Sequence, residues 1–343
     1  MNPMLMTAAA LMLQSPATAV RPSPINAYST VQQRIDVGRG RAMALACVGS
    51  GKQTVLFDSG GSDWSVIWTT ILPKMAGFAR ACAYDRAGLG TSDPGPGART
   101  PTAIADDMHS MIKAAGLTTP LVLVGHSLGG FNVKLYAVLY PDDVAGVVLI
   151  DPAEERTWDR TRAWAIRTYG HHVAAKSELT DHAFINGLAE RYRRCAAIAQ
   201  PSGLIPESVE YRRCSDPPRP ELGEEVNAER RRVHATAAYQ AAQASEIAYS
   251  VYADNRADAA YAHLFRPGLL GSRPFIVLTH EEENSTDPVD QLSKSQGLML
   301  HRETARLSTR GKHQVVPNSG HYIQLDQPDI VIRAINAVIR ELH

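Results

Sequence analysis

Short apolar runs alternate with amphipathic helical patterns along much of the chain. The runs Thr54–Asp58, Ala79–Tyr84 and Val144–Ile150 have the length and composition of buried strands. Thr102–Ala115 carries apolar residues at helical spacing, and Leu128–Tyr140 is a second helical pattern that Pro141 ends. Strands that alternate with helices predict an α/β fold with a parallel sheet covered on both faces.

Strand and helix patterns continue towards both ends of the chain. Thr30–Val37 and Arg41–Val48 predict a leading antiparallel pair of strands. Phe275–Thr279 and Gln314–Val316 predict two later strands, and Ile330–Leu342 predicts an amphipathic closing helix. The predicted core therefore has its strands in two blocks of sequence.

Residues 153–271 separate these blocks and break the rhythm. They are rich in Ala, Arg, Glu and Tyr, with helix-like stretches at 155–168, 180–198 and 223–250. We interpret the segment as an α-helical cap, which would exclude water and shape the choice of substrate. Its larger aromatic residues are expected in the cap core or along a pocket: Trp158, Trp164, Tyr169, Tyr249, Tyr252 and Tyr261.

Charge and hydropathy exclude several classes of partner. The 343 residues contain 35 Lys plus Arg and 35 Asp plus Glu, so no net field favours nucleic acid or an acidic membrane. Outside the N-terminus no run of eighteen apolar residues occurs, which predicts no integral membrane span. The composition agrees with a soluble enzyme.

The first 29 residues are expected to form a signal peptide or a disordered leader. An apolar stretch, 4–13, precedes an Ala17-Thr18-Ala19 step of the kind that signal peptidases cleave. No Lys or Arg occurs before Arg21, however, so the usual positive start is missing. The sequence predicts export to the periplasm or the medium, with a cytoplasmic protein as the alternative.

The four cysteines allow three disulfide pairings. Cys47 and Cys82 fall in two strand-like runs, as buried thiols or as neighbours across the sheet. Cys195 and Cys214 lie 19 positions apart inside the predicted cap, where a bridge would staple loop-rich chain. No C-x-x-C motif occurs, so we expect no zinc or redox site.

The segment Gly125-His126-Ser127-Leu128-Gly129 follows the apolar run Leu121–Val124 and opens a helical pattern. Strand, Gly-x-Ser-x-Gly and helix in this order form a nucleophile elbow, a turn so sharp that the serine hydroxyl stands at its tip. Ser127 is therefore the predicted nucleophile. Downstream, His321 follows a β-rich run in a Gly-His step, and histidine can take the serine proton near neutral pH.

These motifs, with Tyr84-Asp85-Arg86-Ala87-Gly88 and the ending Ser319-Gly320-His321-Tyr322, resemble the α/β-hydrolase fold. The resemblance is to bacterial esterase-like serine hydrolases with a helical cap. It implies a mostly parallel sheet of the eight-stranded type covered by helices. The core is then residues 30–152 and 272–343, and the cap insertion is 153–271.

The resemblance also implies an oxyanion hole of two backbone N–H groups. One donor is the residue after the nucleophile, here Leu128. The other comes from the loop Asp58-Ser59-Gly60-Gly61-Ser62, where Gly61 is the expected donor and Ser62 the fallback. Ser59 stands where relatives commonly carry histidine, which removes a brace of the loop but not the donor.

The acid that orients His321 has two main candidates. The commonest arrangement in the family places it after the seventh strand, which favours Glu283, with Glu282 or Asp287 as neighbours. Some lipases of this fold carry the acid after the sixth strand, which would make it Asp151. Both candidates satisfy the chain order serine, acid, histidine.

The expected reaction is hydrolysis of a carboxylic ester or related acyl compound through an acyl-enzyme, with no cofactor and no metal. A carbon–carbon hydrolase, lactonase, amidase or acyltransferase on the same triad remains an alternative. An alternative of another class is a non-catalytic binding protein that keeps a vestigial site. The expected partner is a small-molecule ester or acyl substrate.

Overall fold

In the computed structural model, which describes residues 32–253, 260–281 and 285–342, eight strands form one sheet. Their order across the sheet is β1-β2-β4-β3-β5-β6-β7-β8. The strands are β1 (Gln32–Gly38), β2 (Arg41–Val48), β3 (Thr54–Asp58), β4 (Arg80–Tyr84), β5 (Leu121–His126), β6 (Val144–Ile150), β7 (Phe275–His280) and β8 (Gly311–Val316). This is the mostly parallel sheet expected from the alternating pattern.

Only the first three strands of the sheet order include antiparallel pairs. β2 is antiparallel to both β1 and β4, and all pairs from β4 to β8 are parallel. Cys47 on β2 lies opposite Cys82 on β4, and the two form a disulfide. The expectation that these cysteines are neighbours across the sheet is therefore confirmed.

Helices cover both faces of the sheet, as the apolar strands require. They are α1 (Leu72–Met75), α2 (Pro101–Ala114), α3 (Leu128–Leu139), α4 (Thr157–Ile198), α5 (Val209–Cys214), α6 (Gly223–His234), α7 (Ala237–Ala248), α8 (Pro288–Ala305), α9 (Ile323–Asp326) and α10 (Pro328–Arg340). Alternate residues of β3 serve the two faces: Val55 packs in the core that includes α10, and Leu56 in the core that includes α2. None of the helices in the described residues is both long and apolar enough to cross a bilayer.

Helices α4 to α7 lie between β6 and β7, where the cap was expected. The helical stretches expected at 155–168 and 180–198 belong to α4, which is interrupted at Gly170, a residue with φ of 84°. A disulfide joins Cys195 of α4 to Cys214 of α5. The stretch 223–250 forms two helices rather than one. The Thr236 hydroxyl accepts a hydrogen bond from the Tyr239 N–H and caps the start of α7.

The sequence pattern did not predict α8. Its buried face includes Leu292 and Leu300, but also the polar residues Gln296, His301 and Thr304. Polar side chains on the inner face interrupt the apolar periodicity on which the prediction depends. The leader predicted at 1–29 lies outside the described residues.

Close packing of glycines shapes the turn between β5 and α3. A Cβ added to Gly125 would lie 2.4 Å from the carbonyl oxygen of Gly129. A Cβ on Gly129 would lie 2.4 Å from the Ser59 carbonyl oxygen and 2.5 Å from that of Asp58. The helix that leaves the turn can therefore approach the loop after β3 only because these side chains are missing.

This contact gives a testable difference between two helical glycines. Gly129→Ala should lower the free energy of unfolding by about 1–3 kcal/mol, because its methyl group would press on rigid backbone. Gly187→Ala, in α4 with nothing within 4 Å of the added Cβ, should raise it by about 0.5–1 kcal/mol. Urea unfolding of both variants measures this, and equal effects would contradict the proposed packing constraint.

Candidate active site

Ser127 stands at the tip of the turn between β5 and α3. Its backbone has φ of 52° and ψ of −121°, a strained conformation for a residue with a side chain. Its N–H donates to the Ile150 carbonyl at 3.0 Å, and its carbonyl accepts from the Ala153 N–H at 2.9 Å. Bonds to the end of β6 and the residues after it thus hold the strained turn.

His321 and Asp151 are hydrogen-bonded to each other. His321 Nδ1 lies 2.5 Å from Asp151 Oδ2, and the Asp151 N–H donates to the Leu278 carbonyl at 2.8 Å. Burial raises the pKa of Asp151, but its hydrogen bonds with His280 and His321 outweigh burial and hold the pKa far below its usual value. Asp151 is therefore an ionised, buried acceptor that fixes the imidazole of the exposed His321.

A second histidine shares the same carboxylate. His280 Nδ1 lies 2.8 Å from Asp151 Oδ2, and the His280 N–H donates to Asp151 Oδ1 at 3.3 Å. The sequence analysis gave His280 no role. The available signal was its position at the end of β7, beside the end of β6 where Asp151 follows, because adjacent parallel strands bring such residues to one edge.

The structure describes some of the candidate acids and not others. Glu283, the preferred candidate, and Glu282 lie outside the described residues. Asp287 caps the start of α8, with its Oδ1 accepting from the Val289 N–H at 2.8 Å. Asp151, the rival candidate, is the carboxylate that the described residues place on His321.

Gly61 and Leu128, the expected oxyanion donors, lie side by side. A Cβ added to Gly61 would lie 3.8 Å from the Leu128 Cδ2 atom. Leu128 is the first residue of α3, so its N–H has no partner within the helix. Ser62, the fallback donor, has a φ of 65°, and its Oγ lies 3.2 Å from Gln243 Oε1 of α7. All three residues line one cavity with Ser127.

Buried Arg86 braces the loop that carries Gly61. Its guanidinium donates to the Ser59 carbonyl at 2.5 Å, to the Gly60 carbonyl at 2.8 Å and to Asp58 Oδ1 at 2.7 Å. The same group makes two bonds to the carboxylate of Glu246 on α7, at 2.7 and 2.8 Å. Arg86 therefore links this loop to helix α7 of the insertion.

Ser59 is itself held, although it replaces the usual histidine. Trp68 Nε1 donates to Ser59 Oγ at 3.0 Å. The loop therefore keeps a side-chain brace at this position, supplied by an indole from the core.

His126 supports His321 from below. Its Nε2 lies 2.9 Å from the His321 carbonyl oxygen, and its Nδ1 has no hydrogen-bond partner among the described residues. Burial, followed by the nearby His321, lowers the pKa of His126 to about 3. A neutral ring that faces a carbonyl must donate through Nε2–H, so His126 fixes the backbone of the residue that carries the imidazole.

A cavity of about 490 Å³ joins these groups. Ser127, His321 and Gly61 lie on its core side. Helical residues between β6 and β7 form the opposite wall, including Ile185, Tyr192, Gln243 and Ile247. The insertion thus covers the serine, as a cap would.

Tyr252 is the cap aromatic that approaches the serine most directly. Its hydroxyl lies 3.5 Å from Ser127 Oγ, and burial raises its pKa to about 12. No direct hydrogen bond between Ser127 and His321 occurs in the described residues, although both face the cavity. Such bonds often tighten only when a substrate is bound.

One donor set in the site resembles a metal-binding group. Asp151, His280 and His321 each offer one ligand atom, and these atoms lie within 4.8 Å of one another. Asp151 Oδ2 already accepts hydrogen bonds from both imidazoles, so the Nδ1 atom of each histidine is paired with the carboxylate. The set therefore fits an acid with two histidine partners, as in a catalytic triad with a second support.

The Arg86 network should dominate the stability of this region. Arg86→Ala should lower the free energy of unfolding by about 3–5 kcal/mol, because Asp58 and Glu246 would remain buried and unpaired. Arg34→Ala, which removes an exposed pair with Asp93, should cost less than about 1 kcal/mol. Urea unfolding measures both, and a small loss for Arg86→Ala would contradict the bracing role.

Buried His126 should make stability fall in mild acid. Its folded pKa of about 3 lies below the ordinary 6.5, so the unfolded chain binds the proton first and stability is lost as pH falls below 6.5. In His126→Asn, the loss of unfolding free energy between pH 7 and pH 5 should be smaller by about 2 kcal/mol than in the wild type. Denaturant titrations at both pH values test this, and an unchanged pH dependence would contradict it.

Comparisons with known proteins place this site in a family. The probable transporter efuK of Hormonema carpetanum is 31% identical over 145 residues, 40% of this chain and 21% of that protein. The 2-(acetamidomethylene)succinate hydrolase of Mesorhizobium japonicum is 31% identical over 121 residues, 35% of this chain and 42% of that protein. The chain thus spans less than half the length of these curated relatives.

The similarity is broader in three dimensions. A thermophilic esterase from Thermogutta terrifontis aligns over 91% of this chain and 99% of its own, with a TM-score of 0.57 and 21% identity. At that identity the likeness is one of fold. The model of the alpha/beta hydrolase family matches residues 51–334, which include both Ser127 and His321. The chain therefore belongs to the alpha/beta hydrolase family.

Proposed function

We propose that this hydrolase cleaves a carboxylic ester with Ser127 as nucleophile, His321 as general base and Asp151 as the orienting acid. The observation that carries the proposal is the 2.5 Å contact between His321 Nδ1 and Asp151 Oδ2. It leaves Nε2 of His321 as the nitrogen available to the cavity, which Ser127 also lines. This is the division of roles in a serine, histidine and acid triad.

In the proposed reaction, His321 Nε2 takes the proton of the Ser127 hydroxyl as Oγ attacks the ester carbonyl. The imidazolium that forms is stabilised by ionised Asp151, and its proton then passes to the leaving alcohol. Water attacks the acyl-enzyme in the same way and frees Ser127. The low pKa of Asp151 supports this role, because the carboxylate stays charged throughout.

The tetrahedral intermediate carries a negative oxygen that needs donors already in position. The backbone N–H groups of Gly61 and Leu128 are the proposed pair. Their proximity, and the bonds by which Arg86 holds the two carbonyls before Gly61, support this assignment. A loop held in this way does not need to reorganise as charge develops.

Tyr252 supports the chemistry from the cap side. With a pKa of about 12, its hydroxyl keeps its proton at neutral pH. At 3.5 Å from Ser127 Oγ it can donate a hydrogen bond to an oxygen of the bound ester. We propose that Tyr252 positions the substrate, because its hydroxyl lies 3.5 Å from Ser127 Oγ and can contact a group bound at the serine.

We also propose that the enzyme works outside the cytoplasm. Both disulfides support this, because such bonds persist in oxidising compartments and are rare in the cytosol.

The proposed function is tested with p-nitrophenyl esters from acetyl to palmitoyl. We expect turnover by the wild type, and Ser127→Ala should lower kcat/KM by at least about 10⁴-fold, because no other group can form the acyl-enzyme. Asp151→Ala should lose about 10⁴-fold, and Glu283→Ala, the matched control for the other candidate acid, should stay near wild type.

The opposite pattern would reassign the acid: loss in Glu283→Ala with activity retained in Asp151→Ala. Turnover that survives Ser127→Ala would refute the serine mechanism. A folded protein whose Ser127 reacts with a fluorophosphonate probe, but which cleaves none of the esters, would refute ester specificity while keeping the nucleophile.

A further inference from the structure

Two arginines line the cavity that holds Ser127 and His321. Arg191 belongs to α4, and Arg219 lies in the segment between α5 and α6. The ester hydrolysis proposed above uses neither of them. A cationic group in the wall of a substrate cavity can bind an anionic part of a ligand where no carboxylate of the protein pairs with it directly.

Arg219 lies near two carboxylates, Asp63 and Asp216, whose charges interact with it. Its Nε is nevertheless buried without a hydrogen bond, and no carboxylate among the described residues forms a direct ion pair with its guanidinium. Its backbone is fixed, because its N–H donates to Asn227 Oδ1 at 2.8 Å and its carbonyl accepts from Asn227 Nδ2 at 2.7 Å. The backbone of Arg219 is thus fixed, while its guanidinium is paired directly with neither carboxylate.

Stacking sets the direction of the Arg219 guanidinium. Its Cζ lies 3.5 Å from the centre of the Tyr322 ring, and the Tyr322 ring lies 5.6 Å from that of His321. When the flat face of a guanidinium stacks on an aromatic ring, its N–H groups point outward in the guanidinium plane. In that plane they can bind a carboxylate through two parallel hydrogen bonds. This edge lies one aromatic ring away from the proposed catalytic base.

Neither of the two carboxylates among the described lining residues forms an ion pair with these arginines. Glu246 is paired with Arg86, which also pairs with Asp58. For Asp216, the other lining carboxylate, burial is the largest effect and raises the pKa, while the charges of Arg219 and Arg191 act in the opposite direction. Arg191 extends over the ring of Tyr192, at 4.9 Å from its centre, and adds a second positive charge on the rim.

We propose that this cavity selects esters that carry a free carboxylate, with Arg219 as the anion-binding residue. This rests on the ester hydrolysis proposed above and names its substrate class. The substrate carboxylate binds at the edge of the Arg219 guanidinium, while its ester carbonyl lies at Ser127. The carboxylate belongs to either the acyl or the alcohol part, and the two sources are separated by the substrates of the test.

The test compares matched charged and neutral esters. On the acyl side these are p-nitrophenyl hydrogen adipate and methyl p-nitrophenyl adipate. On the alcohol side they are 4-butyryloxybenzoate and its methyl ester. In at least one pair, the wild type should prefer the charged member by about 10- to 100-fold in kcat/KM, the range of a charge-assisted hydrogen bond.

Arg219→Gln should abolish this preference by lowering kcat/KM for the charged ester much more than for the neutral ester. Arg219→Lys should keep part of the preference, because it retains charge without the planar fork. Arg213→Gln, an exposed arginine of α5, is the matched control and should behave as wild type. If Arg219→Gln does not fold, Arg219→Lys and the wild-type comparison still decide the question.

Equal rates on charged and neutral members of both pairs would overturn the proposal. If none of the four esters is cleaved, the proposed function has failed, and calorimetry with monomethyl adipate then tests the anion site by itself. Binding to the wild type that is lost in Arg219→Gln would support the site. No binding, or binding that does not depend on Arg219, would refute it.

Discussion

The buried guanidinium of Arg86 is the contact on which the active site depends. It makes three kinds of contact: it pairs with Asp58 and Glu246, it satisfies two loop carbonyls, and it joins the core to the insertion. A buried charge is tolerated only where it is paired and hydrogen-bonded. Because the same group touches the loop before Gly61 and helix α7 of the insertion, the position of the cap and the geometry of the proposed oxyanion hole are coupled.

A different constraint shapes the turn that carries Ser127, because backbone segments approach one another closely around it. Missing side chains at Gly125 and Gly129 let the start of α3 pack on the loop after β3. The ends of β5, β6 and β7 then meet at one edge of the sheet, which brings Ser127, Asp151 and His280 together. His321 follows β8 in the chain. The Asp151 carboxylate fixes its imidazole, and His126 fixes its backbone carbonyl. Strain at the serine is thus held by bonds from several strands.

The cap gives the site its chemical character. Apolar residues of α4 and α7 form much of the cavity wall opposite Ser127, which suits the exclusion of water from an acyl-enzyme. Against this background, the unpaired edge of Arg219 stands out as the feature that would distinguish one ester from another. In the proposed function, the family's shared core supports the reaction, while residues of the insertion would decide which molecule reaches it.

The sequence by itself determined the fold class and most strands, because these depend on local periodicity, and its short motifs predicted Ser127 and His321 as site residues. It left the acid open between Glu283 and Asp151, since both have the required chain order; the structure shows a contact with His321 for Asp151, and Glu283 lies outside the described residues. It missed α8, His280 and Arg219, whose roles come from neighbours distant in sequence. Such pairings are set by which strand ends and cap segments pack together, and only the tertiary structure decided them.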